Sequence, residues 1–212
     1  MTQNTTPLLL GQALQSAAVV CVLTHGRGQS PEMMQEHIVS RLKTKGVGFI
    51  LPRAATGSWY DARAIDPLTE KTSNQLASSL EQVKQAAAMA PAGIPVVMAG
   101  FSQGACLTLE YAFHFGSWRG AMVSFTGCRV GVAQDERARK DLAGLPVYLS
   151  GADKDPWIPL HAFSSATQEL GSARARLRSD LFPGRQHEVT DVEIAMLQSA
   201  LDQLSSGKEV QW

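Results

Sequence analysis

The sequence lacks an excess of charge of either sign and is poor in cysteine. Its 19 lysines and arginines balance 19 aspartates and glutamates over 212 residues, and no basic stripe is present. A surface for nucleic acid or for an anionic membrane needs concentrated positive charge, so neither partner is expected. The three cysteines, Cys21, Cys106 and Cys128, are far apart and form no CxxC pair. This pattern argues against a disulfide framework or a zinc site and favours a reducing compartment.

Long apolar segments and cofactor-binding motifs are also lacking. No stretch approaches the ~20 continuous apolar residues of a membrane-spanning helix. The N-terminal apolar stretch has no basic region before it and is interrupted by Gln12, Gln15 and Ser16, which argues against a signal peptide. The segment GVGFILP (46–52) lacks the third glycine of a dinucleotide-binding loop. We therefore expect a cytoplasmic protein with no integral membrane segment, no metal and no cofactor.

Short apolar runs alternate with longer stretches of helical period along the chain. The predicted strands are residues 18–24, 46–52, 95–100, 121–127, 146–151 and 176–182. The predicted helices run from Ser30 to Gly46, from the capping pair Thr72 and Gln75, over 103–115, from Leu160 to Gly171, and from the capping pair Thr190 and Glu193. This alternation predicts an α/β fold, in which a mostly parallel sheet has helices on both faces. No repeat or linker is present, so residues 1–212 are predicted to form a single domain.

A serine between two glycines stands where one predicted strand gives way to a helix. The segment from Gly100 to Gly104 reads GFSQG and matches G-x-S-x-G, in which a strained turn lifts the serine hydroxyl above a sheet. The bare pattern is weak evidence, but a preceding strand and a following helix are the context that it requires. A serine hydroxyl is a poor nucleophile unless a general base and a group that orients this base lie nearby. Ser102 is the predicted nucleophile.

The general base is expected downstream of the serine and of an acid, in the order that this type of sheet uses. His187 follows the last predicted strand, at the carboxyl end where open α/β sheets build their sites. His161 stands at the start of a helix and is interpreted as a surface residue. His187 is therefore the predicted base.

The acid is expected in the loop GADKDPWIP, which offers Asp153 and Asp155. Pro156 biases Asp155 toward an extended, stiff conformation, whereas Asp153 has the freer position typical of a turn. Asp155 is the favoured acid, and Asp153 stays open as the alternative.

Acyl transfer also needs hydrogen-bond donors for the oxyanion that forms on the substrate. One is the backbone N–H of Gln103, the residue after the serine. The second is expected in the glycine-rich loop THGRGQSPE (24–32), through the N–H of Arg27. Without Ser102 this segment would be interpreted as a flexible turn before a helix.

Two predicted connections, residues 53–71 and 128–145, are too long for simple turns. Long ordered loops in compact domains are usually functional. Trp59 and Tyr60 lie in the first of them. Cys128 opens the second, where a structural role is favoured over a place beside the site.

Five segments together resemble the carboxylesterase/phospholipase family of α/β-hydrolases, the group that includes acyl-protein thioesterases. They are HGRGQSPEMM, PRAATGSWYDAR, GFSQGACLTLEYAF, GADKDPWIP and PGRQHEV, and with their order the resemblance covers residues 19–204. It implies an α/β-hydrolase fold without a separate cap domain. The implied site residues are Ser102 as nucleophile, Asp155 as acid, His187 as base, Arg27 and Gln103 as backbone oxyanion donors, and Gly26, Trp59 and Tyr60 near the substrate.

The expected activity is hydrolysis of carboxylic esters through an acyl-enzyme. No insertion is long enough to form a lid, which favours small-molecule esters with short acyl groups. A thioesterase or a lysophospholipase would use the same residues and is the enzymatic alternative. A non-catalytic ligand-binding protein of this fold is the alternative from another class, and the full set of site residues argues against it. The sequence leaves the oligomeric state open, with a homodimer among the alternatives.

Overall fold

The computed structural model describes residues 5–212, which form one seven-stranded sheet and five α-helices. The strands are β1 Leu8–Gly11, β2 Val19–Thr24, β3 Val47–Leu51, β4 Val96–Phe101, β5 Gly120–Phe125, β6 Pro146–Ala152 and β7 Arg176–Phe182. The helices are α1 Pro31–His37, α2 Glu70–Ala87, α3 Gln103–Phe115, α4 Leu160–Ser172 and α5 Asp191–Ser205. No helix among residues 5–212 is both long and apolar enough to cross a membrane.

The strands lie in the order β1-β3-β2-β4-β5-β6-β7. All neighbours from β3 to β7 pair in parallel, and β1 alone pairs antiparallel, with β3. The predicted α/β class with a mostly parallel sheet is confirmed, and each of the six predicted strands is present. The edge strand β1 was missed because its four residues are too few to show a period, and only their pairing with β3 reveals them.

Side chains of the central strands alternate between two cores, as strand geometry requires. In β2, Val20 and Val22 pack in a core with apolar residues of α2, α3 and α4. Val19, Cys21 and Leu23 pack in a second core with residues of α1 and α5. All five are fully buried. The helices therefore cover both faces of the sheet, as predicted.

Two helix boundaries differ from the prediction. The first helix ends at His37, because Ile38 leaves the helical conformation with φ −123°, and a single 3-10 turn follows in place of helix up to Gly46. The second begins after Thr69, whose hydroxyl accepts a hydrogen bond from the N–H of Thr72. Thr72 therefore lies within the first turn and does not cap it.

The fold collects one set of loops at the carboxyl ends of the parallel strands. Because these ends meet at one edge of the sheet, segments far apart in sequence become neighbours there. The segments at this edge follow β2 (25–30), β3 (52–69), β4 (102), β5 (126–145), β6 (153–159) and β7 (183–190). Every residue that the sequence nominated for the site lies in or beside one of them.

Candidate active site

Ser102 lies in a sharp turn between β4 and α3. Its backbone has φ 56° and ψ −119°, a strained conformation for a residue with a side chain. A Cβ atom on Gly104 would lie 2.3 Å from the carbonyl oxygen of Thr24, and one on Gly100 would lie 2.5 Å from the backbone of Gly104. Only glycine permits this packing. The two glycines of the motif thus let the helix begin against β2 and leave the serine at the edge of the sheet.

The structure joins Ser102, His187 and Asp155 in one chain of hydrogen bonds. The Oγ of Ser102 is 2.8 Å from Nε2 of His187, and Nδ1 of the same ring is 2.7 Å from Oδ2 of Asp155. The imidazole packs against Phe101, with ring centroids 5.1 Å apart. His161 is exposed on α4. Of the two downstream histidines, the one in the last loop therefore meets the serine.

The carboxylate of Asp155 is buried and has three hydrogen-bond donors. Its Oδ1 accepts from the backbone N–H groups of Trp157 and Ile158, at 2.8 and 3.0 Å. Burial acts to raise the pKa of Asp155, but the hydrogen bonds from His187 and from these N–H groups lower it below its ordinary value. An ionised carboxylate can only accept, so Nδ1 of His187 carries the proton. Its Nε2 is then free to accept from the hydroxyl of Ser102.

Asp153, the alternative acid, has a different partner. It is exposed, and its Oδ1 accepts the backbone N–H of Gly184 at 2.6 Å. The carboxylate thus ties the β6–α4 loop to the β7–α5 loop. Asp155, and not Asp153, contacts the imidazole of His187.

The His187 loop, residues 183–190, is anchored by a buried ion pair. Nη1 of Arg185 is 3.1 Å from Oε2 of Glu193, with side chains 4% and 0% exposed. Glu193 is also the capping residue of α5, and it accepts from the N–H and the hydroxyl of Thr190 at 2.8 and 2.9 Å. Breaking a buried pair leaves a charge without a partner, which is costly. The pair therefore fixes the loop two residues before His187.

A second histidine, His25, lies fully buried at the start of the loop after β2, the His25 loop (residues 25–30). Its Nε2 is 3.1 Å from the N–H of Ala54, which can only donate, so Nε2 is unprotonated. Its Nδ1 therefore carries the proton and donates to the carbonyl of Gly26 at 2.8 Å. Burial lowers the pKa of His25, which favours this neutral form. Because the carbonyl of Gly26 and the N–H of Arg27 belong to one planar peptide unit, fixing the carbonyl also fixes the N–H.

The His25 loop and the start of α3 face each other. A Cβ atom on Gly26 would lie 3.3 Å from the Cβ of Ser102. The N–H of Gln103 is the first of α3 and has no acceptor within the helix. The Gln103 side chain holds the neighbouring connection, because its Nε2 donates to the carbonyl of Tyr60 at 2.7 Å and its Oε1 accepts the N–H of Trp59 at 2.9 Å. The backbone of Gly26 and the start of α3 are thus neighbours at the serine.

Trp59 and Tyr60 are adjacent in sequence, but of the two only Tyr60 lines the cavity. The ring of Trp59 is 3% exposed and stacks on His25, with centroids 4.8 Å apart. Its Nε1 donates to the carbonyl of His25 at 2.8 Å, so it supports the His25 loop and does not line the cavity. Tyr60 and Gly26 both line the cavity.

A cavity of about 230 Å³ opens beside Ser102. Its apolar lining comes from Tyr60, Ala64, Phe101, Cys106, Trp157 and Ile158. Two arginines, Arg27 and Arg63, also line it, and none of the described lining residues is acidic. No group of three or more His, Cys, Asp and Glu side chains in residues 5–212 is placed to hold a metal ion.

Only one of the two long connections contributes to this cavity. Residues 52–69 supply three lining residues, whereas residues 126–145 supply none of those described. The second connection is instead held by Arg129, which pairs with Glu110 at 2.7 Å and with Glu169 at 2.8 Å. Its length therefore serves packing over α3 and α4.

Sequence reasoning missed the side-chain roles of His25, Arg185 and Glu193. The capping pair of α5 was a usable signal for the last of these, but the pattern does not show that its carboxylate also binds Arg185. His25 gave no signal, because its partner Ala54 is 29 positions away. The contact arises only when β2 and β3 become neighbours in the sheet.

Comparisons with known proteins identify the family. The phospholipase/carboxylesterase family matches residues 11–205. A phospholipase/carboxylesterase from Dyadobacter fermentans is 28% identical, with a TM-score of 0.81, and the match covers 95% of this chain and 98% of that one. Acyl-protein thioesterase 2 from Zea mays is 15% identical, with a TM-score of 0.77 and coverage of 95% and 100%. A search of curated protein sequences finds no significant match. The chain has the α/β-hydrolase fold and belongs to the phospholipase/carboxylesterase family, hydrolases of the esterase and thioesterase type.

Proposed function

We propose that the protein is a serine carboxylesterase that cleaves esters of small or short acyl groups through an acyl-enzyme. The observation that carries the proposal is the chain of hydrogen bonds from Ser102 through His187 to Asp155, at 2.8 and 2.7 Å, at the wall of a cavity. A nucleophile, a base within reach of it and a group that orients the base are the three parts that such catalysis needs.

In the first step Ser102 attacks the ester carbonyl while Nε2 of His187 takes the hydroxyl proton. The ring then carries a positive charge, and its Nδ1–H stays bonded to the ionised carboxylate of Asp155. That carboxylate keeps the ring in the required tautomer and stabilises the charge that forms.

The negative charge on the former carbonyl oxygen needs donors that are already in place. The N–H groups of Gln103 and Arg27 supply them, each contributing roughly 3 kcal/mol to lowering the barrier. The first is supported by its place at the start of α3. The second is supported by the bond from His25 to the carbonyl of Gly26, which sets the orientation of the peptide unit.

The intermediate collapses when His187 returns its proton to the leaving alcohol. Water then enters, gives a proton to the same ring and attacks the acyl-enzyme. Release of the carboxylic acid restores the Ser102 hydroxyl. Apart from the ester and water, these steps use only groups of this chain.

The cavity supports a small acyl group. Its volume of about 230 Å³ lies below the ~300–1,000 Å³ that pockets for drug-sized ligands occupy. Trp157 is 58% exposed at the cavity and leaves it open to solvent. A short ester fills such a space better than the long chain of a bulk lipid.

One observation favours lysophospholipid hydrolysis as the second candidate. Arg27 bonds to the backbone carbonyls of Asp61 and Ala62 and has no carboxylate partner among the described residues. Arg63 lies in the same lining, with 64% of its side chain exposed, and it pairs with Asp66 at 2.9 Å. Two arginines and no acidic residue in the described lining suit an anionic phosphate on the leaving alcohol, for which Arg63 would exchange part of its contact with Asp66.

Turnover and active-site labelling test the proposal together. We expect hydrolysis of p-nitrophenyl acetate and butyrate, decreasing toward the palmitate, and labelling of Ser102 by a fluorophosphonate in peptide maps. Ser102→Ala should lose both, whereas Ser78→Ala, an exposed serine on α2, should keep both. Folded protein without turnover or label would contradict the proposal and favour a ligand-binding role.

A matched pair of esters separates the two candidates. Octanoylglycerol 3-phosphate, a lysophospholipid, and monooctanoylglycerol differ only in the phosphate, and Arg63→Gln removes one nearby cation. If the phosphate is recognised, the variant loses about fivefold in kcat/KM for the lysophospholipid alone, the value of an exposed ion pair near 1 kcal/mol. Arg119→Gln, at the opposite end of the sheet, is the control. An equal effect on both esters would count against the second candidate.

A further inference from the structure

A pair of buried thiols lies beside the cavity that holds Ser102. Cys106 lines this cavity, and its N–H donates to the carbonyl of Ser102 at 2.9 Å. Its Sγ is 4.0 Å from the Sγ of Cys128. Both residues are fully buried and neither forms a disulfide. The third cysteine, Cys21, lies in the other core.

Hydrogen-bond donors converge on the sulfur of Cys106. The N–H of Cys128 lies 3.4 Å from it, and the Cys128 thiol faces it as well. The buried hydroxyl of Tyr60 has no hydrogen-bond partner among the described residues, and it lowers the pKa of Cys106 less than the two groups of Cys128 do. The contact with the Cys128 thiol contributes most to lowering the pKa of Cys106, in spite of complete burial. Burial without such donors raises the pKa of Cys21 to about 12.

We propose that Cys106 and Cys128 form an oxidisable dithiol, which a hydroperoxide entering the cavity converts into a disulfide. The two residues have the arrangement that this reaction needs: a cysteine that lines the cavity, with donors at its sulfur that stabilise the thiolate, and a second thiol next to it.

The reaction balances in two steps. The thiol of Cys106 gives up its proton, and the thiolate attacks the terminal oxygen of the hydroperoxide and breaks the O–O bond, which leaves a sulfenic acid. The departing alkoxide takes that proton and leaves as an alcohol, or as water when the oxidant is hydrogen peroxide. The sulfur of Cys128 then gives up its proton, attacks the sulfenic sulfur and displaces hydroxide, which leaves as water. Two thiols are oxidised by two electrons in total, and one hydroperoxide is reduced.

A disulfide requires the sulfurs to close from 4.0 Å to ~2.05 Å. Gly127 lies directly against α3, since a Cβ atom there would be 2.9 Å from the Cβ of Ala105. The two cysteines are the next residues along each segment, and the N–H of Cys128 is 3.4 Å from the Sγ of Cys106, so the backbones are already close. Closure draws the Sγ of Cys106 toward Cys128. Any effect of this on turnover rests on the proposed function, whereas the modification itself does not.

Peptide mapping after peroxide treatment tests the proposal in the intact protein. The folded chain is exposed to hydrogen peroxide, quenched, unfolded in N-ethylmaleimide and digested. We expect a linked peptide that joins Cys106 to Cys128, while Cys21 is recovered alkylated. Cys106 should react at least about tenfold faster than Cys21 in the same molecules, because reactivity follows the thiolate fraction.

Three variants fix the interpretation. Cys128→Ser should leave Cys106 as a sulfenic acid that dimedone traps, and Cys21→Ser should leave the linked peptide unchanged. Ser102→Ala should also leave it unchanged, so a failure of the proposed hydrolysis would not affect this result. Recovery of Cys106 and Cys128 as fully alkylated as Cys21, or a linkage that involves Cys21 or a second chain, would overturn the proposal.

Discussion

Two loops beside Ser102 each carry a histidine, and the two rings differ in exposure and in the type of hydrogen-bond partner. His187 is 18% exposed in its side chain, and its nitrogens contact the side chains of Ser102 and Asp155. His25 is 0% exposed, and its nitrogens contact two backbone groups, the carbonyl of Gly26 and the N–H of Ala54.

The difference lies in what the partners allow. A hydroxyl can give its proton to an imidazole and receive it again, so a ring between a hydroxyl and a carboxylate can carry a proton during a reaction. A backbone carbonyl only accepts and a backbone N–H only donates, so a ring between them is held in one tautomer. In the proposed mechanism His187 moves a proton, whereas His25 positions the N–H of Arg27 and must stay neutral.

Removing the ring that moves the proton should give the largest effect. We expect His187→Ala to lower kcat for p-nitrophenyl acetate by about 10⁴- to 10⁶-fold, as loss of the base does in other serine hydrolases. Unfolding temperature should change little, because the ring is partly exposed. His161→Ala, on the surface of α4, is the control. A folded His187 variant with near-normal kcat would require another base.

Removing the ring that positions the peptide should give a smaller loss of a different kind. His25→Leu frees the carbonyl of Gly26, so the N–H of Arg27 is no longer held toward the oxyanion. We expect kcat to fall by about 10²-fold, the value of one oxyanion donor, with KM nearly unchanged. Steady-state kinetics on the folded variant check this.

The outcome that contradicts this prediction is an intact kcat. It would mean that Gln29, whose Oε1 accepts the N–H of Gly26 at 2.9 Å, is enough to hold the loop. His25→Asn sharpens the test, because its amide can still donate to the carbonyl of Gly26 but does not reach Ala54.

The His187 loop is anchored by the ion pair of Arg185 and Glu193, whereas the His25 loop is held by hydrogen bonds to backbone groups. Arg185→Met leaves the carboxylate of Glu193 buried without its cation, which should lower Tm by about 10 °C. We expect kcat to fall about tenfold as the loop loosens, less than the ~10² that a 1 Å misplacement costs. Adding Glu193→Gln to this variant removes the unpaired carboxylate and should restore part of the lost Tm. A double variant no more stable than Arg185→Met would refute the ion-pair explanation.

The sequence was most informative where function rests on local pattern. The turn itself requires the glycines around Ser102. The sequence therefore predicts the motif together with the strand before it and the helix over 103–115. The position of His187 in a loop could also be predicted, because its segment lies between a strand and a capped helix. The choice between Asp153 and Asp155 rested on the conformational bias from Pro156, and the structure places Asp155 against the ring.

The sequence was least informative where a side chain bonds to distant backbone. His25 precedes the glycine-rich turn, yet its partner Ala54 comes beside it only through the pairing of β2 with β3. Trp59 was assigned to the substrate by resemblance, and it lies instead behind His25 because its indole N–H needs the carbonyl there. Such contacts have no period or spacing, so they emerge only from tertiary structure.

The smallest effect is on stability, and it separates the two histidine environments by pH. Burial lowers the pKa of His25 in the folded protein below the ordinary 6.5. Just below this pH the unfolded chain therefore binds a proton at His25, whereas the folded chain does not. The contribution of neutral His25 to the free energy of unfolding is fully present above pH 6.5. It is lost as pH falls through the lower pKa that His25 has in the folded protein. The same sign holds for Asp155, but its window lies below the ordinary 3.8, so urea unfolding between pH 5 and 7.5 isolates the histidine. Over that range wild type should lose stability more steeply than His25→Asn, which has no ring to protonate. Parallel curves would show that the buried ring accepts a proton at little cost, which would contradict the fixed tautomer assigned to it.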